Sequence, residues 1–251
     1  MSTYFIGIDL AWSSRNATGF SALKRNGDAA NLICCCNLYT DEEVIDAIES
    51  IVTRKDDVIV AVDAPLTVPN QAGRRPAETE IDEIFHQYGA GAFPCNRNLL
   101  TRYNNGIIRG EAIVDRLRTL NIVHRAAIET RKQTRQVFEV YPHPAMVVLF
   151  RLQHILKYKK KRRRQNAERM KAFDHYQGHL QNLSNPPWSL NPTPFSEYRE
   201  FGAADLKRYE DRIDSLFCSY LAFYYWWWGK ERCSIYGNFE EGYIVSPTLQ
   251  N

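Results

Sequence analysis

The chain has 251 residues, with 44% hydrophobic and 24% charged residues, the balance of a folded globular protein, which excludes a disordered, collagenous or coiled-coil chain. Its formal net charge of +3 conceals a segregation: Arg151 to Lys171 holds ten basic residues against the single acid Glu168 and carries +9, leaving −6 for the remainder. The first ten residues alternate and meet Asp9, unlike a signal peptide. The longest apolar run, Leu216 to Trp228, is too short to cross a bilayer, and six cysteines, three of them adjacent, form no disulfide framework. A soluble, cytoplasmic protein with no membrane partner is expected.

Taken in order, Tyr4 to Leu10, Thr18 to Leu23 and Leu32 to Leu38 are short apolar runs joined by brief polar breaks, which predicts three strands in an antiparallel meander. Thr40 with Glu43 three residues on forms a capping box, and Val44, Ile45, Ile48, Ile51 and Val52 predict a helix from about Asp41 to Arg54. Val58 to Val62 is apolar on both faces and predicts a strand buried in the middle of a sheet. Residues 64–76 carry three prolines and Gly73 and are expected to be irregular. Helices are predicted at about Ala77 to Tyr88 and Gly110 to Leu120, around a loop from Gly89 to Asn96. Val137 to Tyr141 predicts a further strand ended by Pro142 and Pro144. Ala145 to Tyr158 and Arg163 to Leu183 follow as helices, then the proline-rich linker Asn185 to Phe195 and a long helix from Ala203 to Trp228. One domain is expected over residues 1–251, with a helical and loop insertion at about 67–130 and a basic, proline-rich one at about 157–200.

Single acids interrupt or end the predicted strands. Asp9 lies inside the first, Asp63 closes Val58 to Val62, and Glu139 sits within Val137 to Tyr141. A buried carboxylate must be neutralised, hydrogen-bonded or bound to a cation, since a bare buried charge costs several kcal/mol. Neighbouring strands ending together would bring Asp9 and Asp63 to one rim of the sheet, where α/β folds bind their ligands. On the last helix, Leu206, Tyr209, Ile213, Leu216, Phe217, Tyr220 and Tyr224 make one buried stripe. Asp214 falls at its margin and Asp211 about 60° beyond. Each acid alone reads better as a cap, a turn or a solvated face. Together they make the donor set of a hard cation, Mg2+ or Mn2+, and two such ions ~3.5 to 4 Å apart support phosphodiester cleavage.

Gly7-Ile-Asp-Leu-Ala-Trp12, Val62-Asp-Ala-Pro-Leu66, Arg74-Arg-Pro76 with Gly89 to Pro94 and Asn96-Arg97, Glu139-Val-Tyr-Pro-His143 and Asp211-Arg-Ile-Asp214 occur in that order. They resemble an uncharacterised-domain family of predicted RNase H-like nucleases (DUF429-type) over nearly the whole chain. The resemblance implies an α/β, RNase H-like fold: a five-stranded mixed sheet, its first three strands antiparallel, flanked by helices. It implies catalytic, metal-holding acids at Asp9, Asp63, Asp211 and Asp214, with Glu139 in a Glu-x-x-Pro motif as a further ligand or base and His143 as an auxiliary catalytic residue. Ser215 and Leu216 stand after the helical pair where the family has small residues.

The basic run Lys157, Lys159, Lys160, Lys161, Arg162, Arg163 and Arg164 suits nucleic-acid phosphates beside such a site; a solvated helical face or a localisation patch is the competing account. Trp226 to Trp228 would stack bases, pack a helix end or form an oligomer contact. His175 and His179 share a helix face without zinc-ligand partners, and Cys34 to Cys36 read as small buried residues. The expected function is a metal-dependent nuclease. The alternatives are a catalytically inactive RNase H-like scaffold for nucleic acid or protein, and an ATP-dependent phosphotransferase, which would need a second fold copy and glycine-rich phosphate loops.

Overall fold

The computed structural model describes residues 1–161 and 164–249. The elements in chain order are β1 (Thr3–Asp9), β2 (Thr18–Asn26), β3 (Ala29–Leu38), α1 (Asp41–Ile51), β4 (Asp57–Asp63), α2 (Pro76–Phe85), α3 (Arg97–Leu100), α4 (Arg109–Thr119), β5 (Val123–His124), β6 (Arg135–Glu139), α5 (Pro142–Leu149), α6 (Asn166–Asn182), β7 (Trp188–Ser189), α7 (Ala203–Trp228), β8 (Cys233–Asn238) and β9 (Gly242–Pro247).

The main sheet runs β5-β6-β4-β1-β2-β3-β7, with β1, β2 and β3 antiparallel and β4 and β6 parallel to β1. Seven strands therefore stand where five are expected. The two additional ones, β5 and β7, are two-residue pairings at the edges, too short to produce any alternation. Among the described residues no helix is long and apolar enough to cross a membrane.

Alternation divides β1 between two cores. Tyr4, Ile6 and Ile8 join Val58, Val60 and Val62 in a core completed by α1 and α4, while Phe5 joins Ile59, Ala61 and Phe138 against α5, α6 and α7. The capping box of α1 is formed: the Glu43 N–H donates to Thr40 Oγ1 at 3.1 Å, and Glu43 Oε2 accepts from the Thr40 N–H at 3.1 Å.

The last helix sits closer to the sheet than any side chain would permit. A Cβ on Gly7 would lie 2.0 Å from the Ser215 carbonyl oxygen, and one on Gly19 would lie 1.8 Å from that of Asp211. Glycine here serves a close backbone approach. The strands also grip the helix through its carbonyls, Ser21 Oγ donating to Ser215 O at 2.6 Å and Asn37 Nδ2 to Arg208 O at 3.0 Å. From Ile213 to Trp226 every residue of α7 is buried, so this half of the helix is enclosed on all sides rather than along the single stripe expected, as befits a mostly apolar helical segment. Trp226 packs on Phe5 and donates Nε1 to Lys132 O, while Trp227 and Trp228 lie under the guanidinium groups of Arg131 and Arg232; the tryptophan run is packing.

Two further expectations change, and one hairpin is added that no expectation covered. The helix expected over Ala145 to Tyr158 is α5, which starts earlier and stops at Leu149, where Arg151 takes a left-handed φ of 53°. A helix C-terminus marked by arginine rather than glycine carries no sequence punctuation. Residues 233–247 form the hairpin β8-β9, which joins the sheet through a parallel bridge between Val140 and Val245. Cys34 to Cys36 are half-buried rather than buried, with Cys34 and Cys36 Sγ 3.7 Å apart on one face of β3.

We expect Gly7→Ala or Gly19→Ala to unfold the protein or to lower its urea midpoint sharply, because the obstructing atoms are helix backbone. Gly178→Ala, inside α6 with nothing near its Cβ position, should instead stabilise by about 0.5–1 kcal/mol.

Candidate active site

Asp9 and Asp63 end β1 and β4 and stand directly opposite each other in parallel register, on strands about 4.8 Å apart. Each lies two residues beyond a position, Gly7 or Ala61, that faces α7, so both carboxylates leave the sheet on the helix side. The seating of α7 on Gly7 and Gly19 then carries Asp211 and Asp214, both buried, to the same rim. The four aspartates are brought together by strand register and one close helix contact.

Asp214 is the most fully held. Its Oδ1 accepts from Tyr158 Oη at 2.8 Å and Tyr176 Oη at 3.1 Å, and its Oδ2 lies 2.9 Å from Lys159 Nζ. Lys207 pairs with Asp211 one turn along α7, and with Glu210 at 3.0 Å. Asp9 Oδ2 is shielded from solvent and accepts no hydrogen bond. Burial first, then the charges of Asp214, Asp211 and Asp63, hold the Asp9 carboxyl well above its ordinary range, against the opposing pull of Lys159. Burial, then the charges of Asp214 and Glu139, push Asp63 up to about 7 against Lys159 and Lys207, and burial with Glu210 and Asp214 nearby pushes Asp211 up to about 6. Acids so placed repel, and two ammonium groups offset part of their charge.

Lys159 therefore stands apart from the exposed lysines of the basic run, lining the cleft with its ammonium on Asp214. Tyr158 turns into the core, its carbonyl accepting from Arg169 Nε at 2.8 Å, and Lys159 beside it turns into the acids. Lys157 lies 3.4 Å from Glu168, Arg164 donates to Lys159 O, and Lys160 and Lys161 are exposed. Arg162 and Arg163 lie outside the described residues.

Glu139 does not join the aspartates. It pairs in register with Val62 and leaves β6 on the face opposite Phe138, away from α7. Its carboxylate accepts from Arg75 Nη1 at 2.9 Å, Arg75 Nη2 at 2.6 Å and the Leu66 N–H at 2.8 Å. Arg75 also binds Glu78, all three side chains being almost wholly buried. The hairpin closes over this triad: a Cβ on Gly242 would lie 2.5 Å from Arg75 Cδ. Glu139 thus anchors residues 64–76 to the sheet and has little lone-pair capacity left for a cation. His143 lines the same cleft, with Nδ1 3.0 Å from Tyr141 Oη; burial and the Lys159 charge push its imidazole down to about 3, so it is neutral.

Asp9, Asp63 and Asp211 line a cleft of about 730 Å³, and Asp214 is buried behind them. Their oxygens are the right donors for Mg2+ or Mn2+, and the unpartnered Asp9 Oδ2 fits a cation. Among the described residues, however, no three His, Cys, Asp or Glu side chains form a group able to hold a metal ion in this arrangement, and Lys159 supplies positive charge instead.

The family model for DUF429, described as a protein of unknown function, matches residues 7–241, a span that contains all four aspartates. The chain belongs to the DUF429 family. Comparison with curated proteins and with solved structures finds no match. Within this DUF429 chain, Asp9, Asp63, Asp211 and Asp214 are the sequence candidates that the fold brings together, with His143 in the same cleft, whereas the contacts of Lys207, Tyr158, Tyr176 and Lys159 with them had no place in the sequence reading. Only the four-residue spacing of Lys207 and Asp211 offered a cue.

Two stability measurements follow. Arg75→Met leaves Glu78 and Glu139 buried without their partner and should cost about 3–5 kcal/mol by urea denaturation. A carboxyl raised to about 7 stabilises the fold while protonated; that contribution is whole below the ordinary carboxylate range and is lost as pH rises through about 7. Asp63→Asn should therefore raise the urea midpoint of metal-free protein at pH 8 and change it far less at pH 4.

Proposed function

We propose that this protein is a metal-dependent nuclease with an RNase H-like fold, acting on phosphodiester bonds of nucleic acid at the four-aspartate rim. The observation that carries the proposal is the in-register pairing of Asp9 and Asp63 at the ends of adjacent parallel strands, completed by Asp211 of α7, which lines the same cleft, and by the fully buried Asp214 behind them. A mixed sheet whose first three strands are antiparallel supports the fold assignment.

In this reading Asp9, Asp63 and Asp214 would hold Mg2+ or Mn2+, with Asp211 beside them, once Lys159 is displaced and carboxylates that do not form a metal-binding group as they stand are drawn together. The bound ions would supply Lewis-acid activation of water and of the scissile phosphate. The remaining side chains fix the acids. Tyr158 and Tyr176 orient Asp214 through its Oδ1, and Lys207 orients Asp211. Glu139 acts through Arg75 by fixing the cleft floor, and His143, neutral and bound to Tyr141, contributes a hydrogen bond rather than a charge. Arg15, Lys207 and Arg208 line the cleft as phosphate partners, with the exposed Lys160 and Lys161 nearby in sequence to Lys159.

The Lys159 ammonium on Asp214 favours one second reading, a non-cleaving member in which lysines neutralise the acids permanently and the cleft binds nucleic acid only. The two separate by experiment. With Mn2+ present, wild-type protein should cleave nucleic acid and Asp9→Asn should lose at least about 100-fold in rate. Lys159→Gln should bind Mn2+ more tightly by calorimetry, because lysine and cation compete for the same carboxylates. Equal cleavage by wild type and Asp9→Asn, or no cleavage by either, removes the nuclease reading. Unchanged Mn2+ affinity in Lys159→Gln removes the competition.

A further inference from the structure

The mouth of the cleft carries an unusual share of the molecule's exposed aromatic surface. Trp12, Tyr39, Phe93 and Tyr103 all line it, and their relative exposures are 38%, 41%, 74% and 46%. None belongs to a packed hydrophobic cluster, so core packing does not account for them. Large apolar side chains exposed together mark an interaction site, whereas single scattered ones do not.

The rim is also built to hold its shape. Trp12 and Tyr103 meet edge to face with ring centroids 5.0 Å apart. The buried Arg109 donates to the carbonyls of Ala11 at 2.8 Å and Tyr39 at 2.7 Å, which fixes the backbone beside Trp12 and at Tyr39. The loop presenting Phe93 is tied on either side, the Ala92 N–H donating to Asp82 at 2.8 Å and Asn70 Nδ2 to Cys95 O at 2.9 Å. Trp12 lies three residues beyond Asp9, so this aromatic surface begins where the acids end. Arg15, Lys207 and Arg208 line the same cleft, and among the described residues Arg15 forms no ion pair.

Flat π-faces interleaved with cations beside a carboxylate site match one polymer well. Bases stack on aromatic side chains while phosphates follow the cations. In a duplex the base faces are already stacked on one another, and the exposed rings would meet only sugar and phosphate. We propose that the cleft binds a single strand of nucleic acid through unpaired bases stacked on Trp12, Phe93 and Tyr103, and that it discriminates against duplex. The proposal names the substrate class of the phosphodiesterase reading and rests on it for the placement of the phosphates.

The test measures binding of the full wild-type chain in EDTA, at one fixed salt concentration, by anisotropy of labelled oligonucleotides: a single strand, the blunt duplex of the same sequence, and an abasic strand with the same phosphates. The single strand should bind at least about tenfold more tightly than either. Phe93→Ala and Tyr103→Ala should each weaken it by about five- to tenfold, consistent with the loss of one stacked base. Phe93→Tyr should restore binding, and Phe239→Ala, exposed but outside the cleft, should leave it unchanged. Duplex or abasic strand binding as tightly as the single strand, or rim variants without effect, would overturn the proposal. A separate cleavage assay with Mn2+ keeps the two claims apart. Single-strand preference without cleavage retains the aromatic rim and removes the nuclease, while cleavage of duplex with no such preference does the reverse.

Discussion

The contact on which the site depends is steric: the backbone of α7 rests against the backbone of β1 and β2 at Gly7 and Gly19. A helix packed on a sheet through ordinary side chains is held off by a layer of Cβ atoms and what they carry, which moves its carboxylates away from those on the strands. Two glycines remove that spacer, and the carbonyl of Asp211 itself becomes the atom facing Gly19. Ser215 and Ser219 continue the close seam, and Ser21 converts one contact into a hydrogen bond to a carbonyl already used within the helix. The helix is then so enclosed that its aromatic run packs on every side, and Asp214 becomes a fully buried acid in the middle of an apolar helix.

That enclosure sets the electrostatic problem. Desolvation heads the causes that raise the Asp9, Asp63 and Asp211 carboxyls, and mutual repulsion comes after it, so burial creates most of the difficulty and proximity adds to it. Lys159 and Lys207 answer it from different directions, one from the irregular segment after α5 and the other from the turn of α7 before Asp211. Asp214 has two tyrosine hydroxyls as well, whereas Asp9 Oδ2 has no donor at all. A polar atom left unsatisfied inside a protein costs stability, and the local hydrogen bonding gives Asp9 no compensation. A ligand that supplies positive charge at that oxygen would relieve a cost the fold otherwise carries.

How much was readable from the chain varied with the physical range of the cause. The α1 capping box, the two-faced burial of Val58 to Val62 and the strand-end position of Asp63 depend on neighbours a few residues away, and all three were predictable; Asp9, expected inside its strand, ends it. Glu139 illustrates the limit. Val137-Phe-Glu-Val-Tyr141 is apolar around the acid on both sides, so nothing local decides which face it takes; the pairing of Phe138 with Ala61 decides it, and its partner Arg75 lies 64 residues away. The hairpin β8-β9 did leave a trace, since Gly237 and Gly242 both take positive φ at its turn, but its strands alternate weakly and their partner is a single bridge to Val140. The pair β5 and β7 is two residues each, below any periodicity. The stop of α5 at Arg151 carried no glycine to announce it.

The same distinction explains the basic run, whose charge dominates the composition of the chain. Charge density alone treats Lys157 to Arg164 as one feature, and a row of cations placed in solvent would indeed act as one. Tyr158 breaks that equivalence. Its ring is buried among Phe173 and Tyr176 and its hydroxyl reaches Asp214, so the residue after it begins its path inside the protein and its ammonium ends on the same carboxylate. One aromatic anchor therefore assigns two neighbouring lysines to different environments, Lys159 to the acids and Lys160 to water. The segregation of +9 from −6 along the sequence is partly undone in space, and the residue that undoes it stands where any cation drawn to the site must also go.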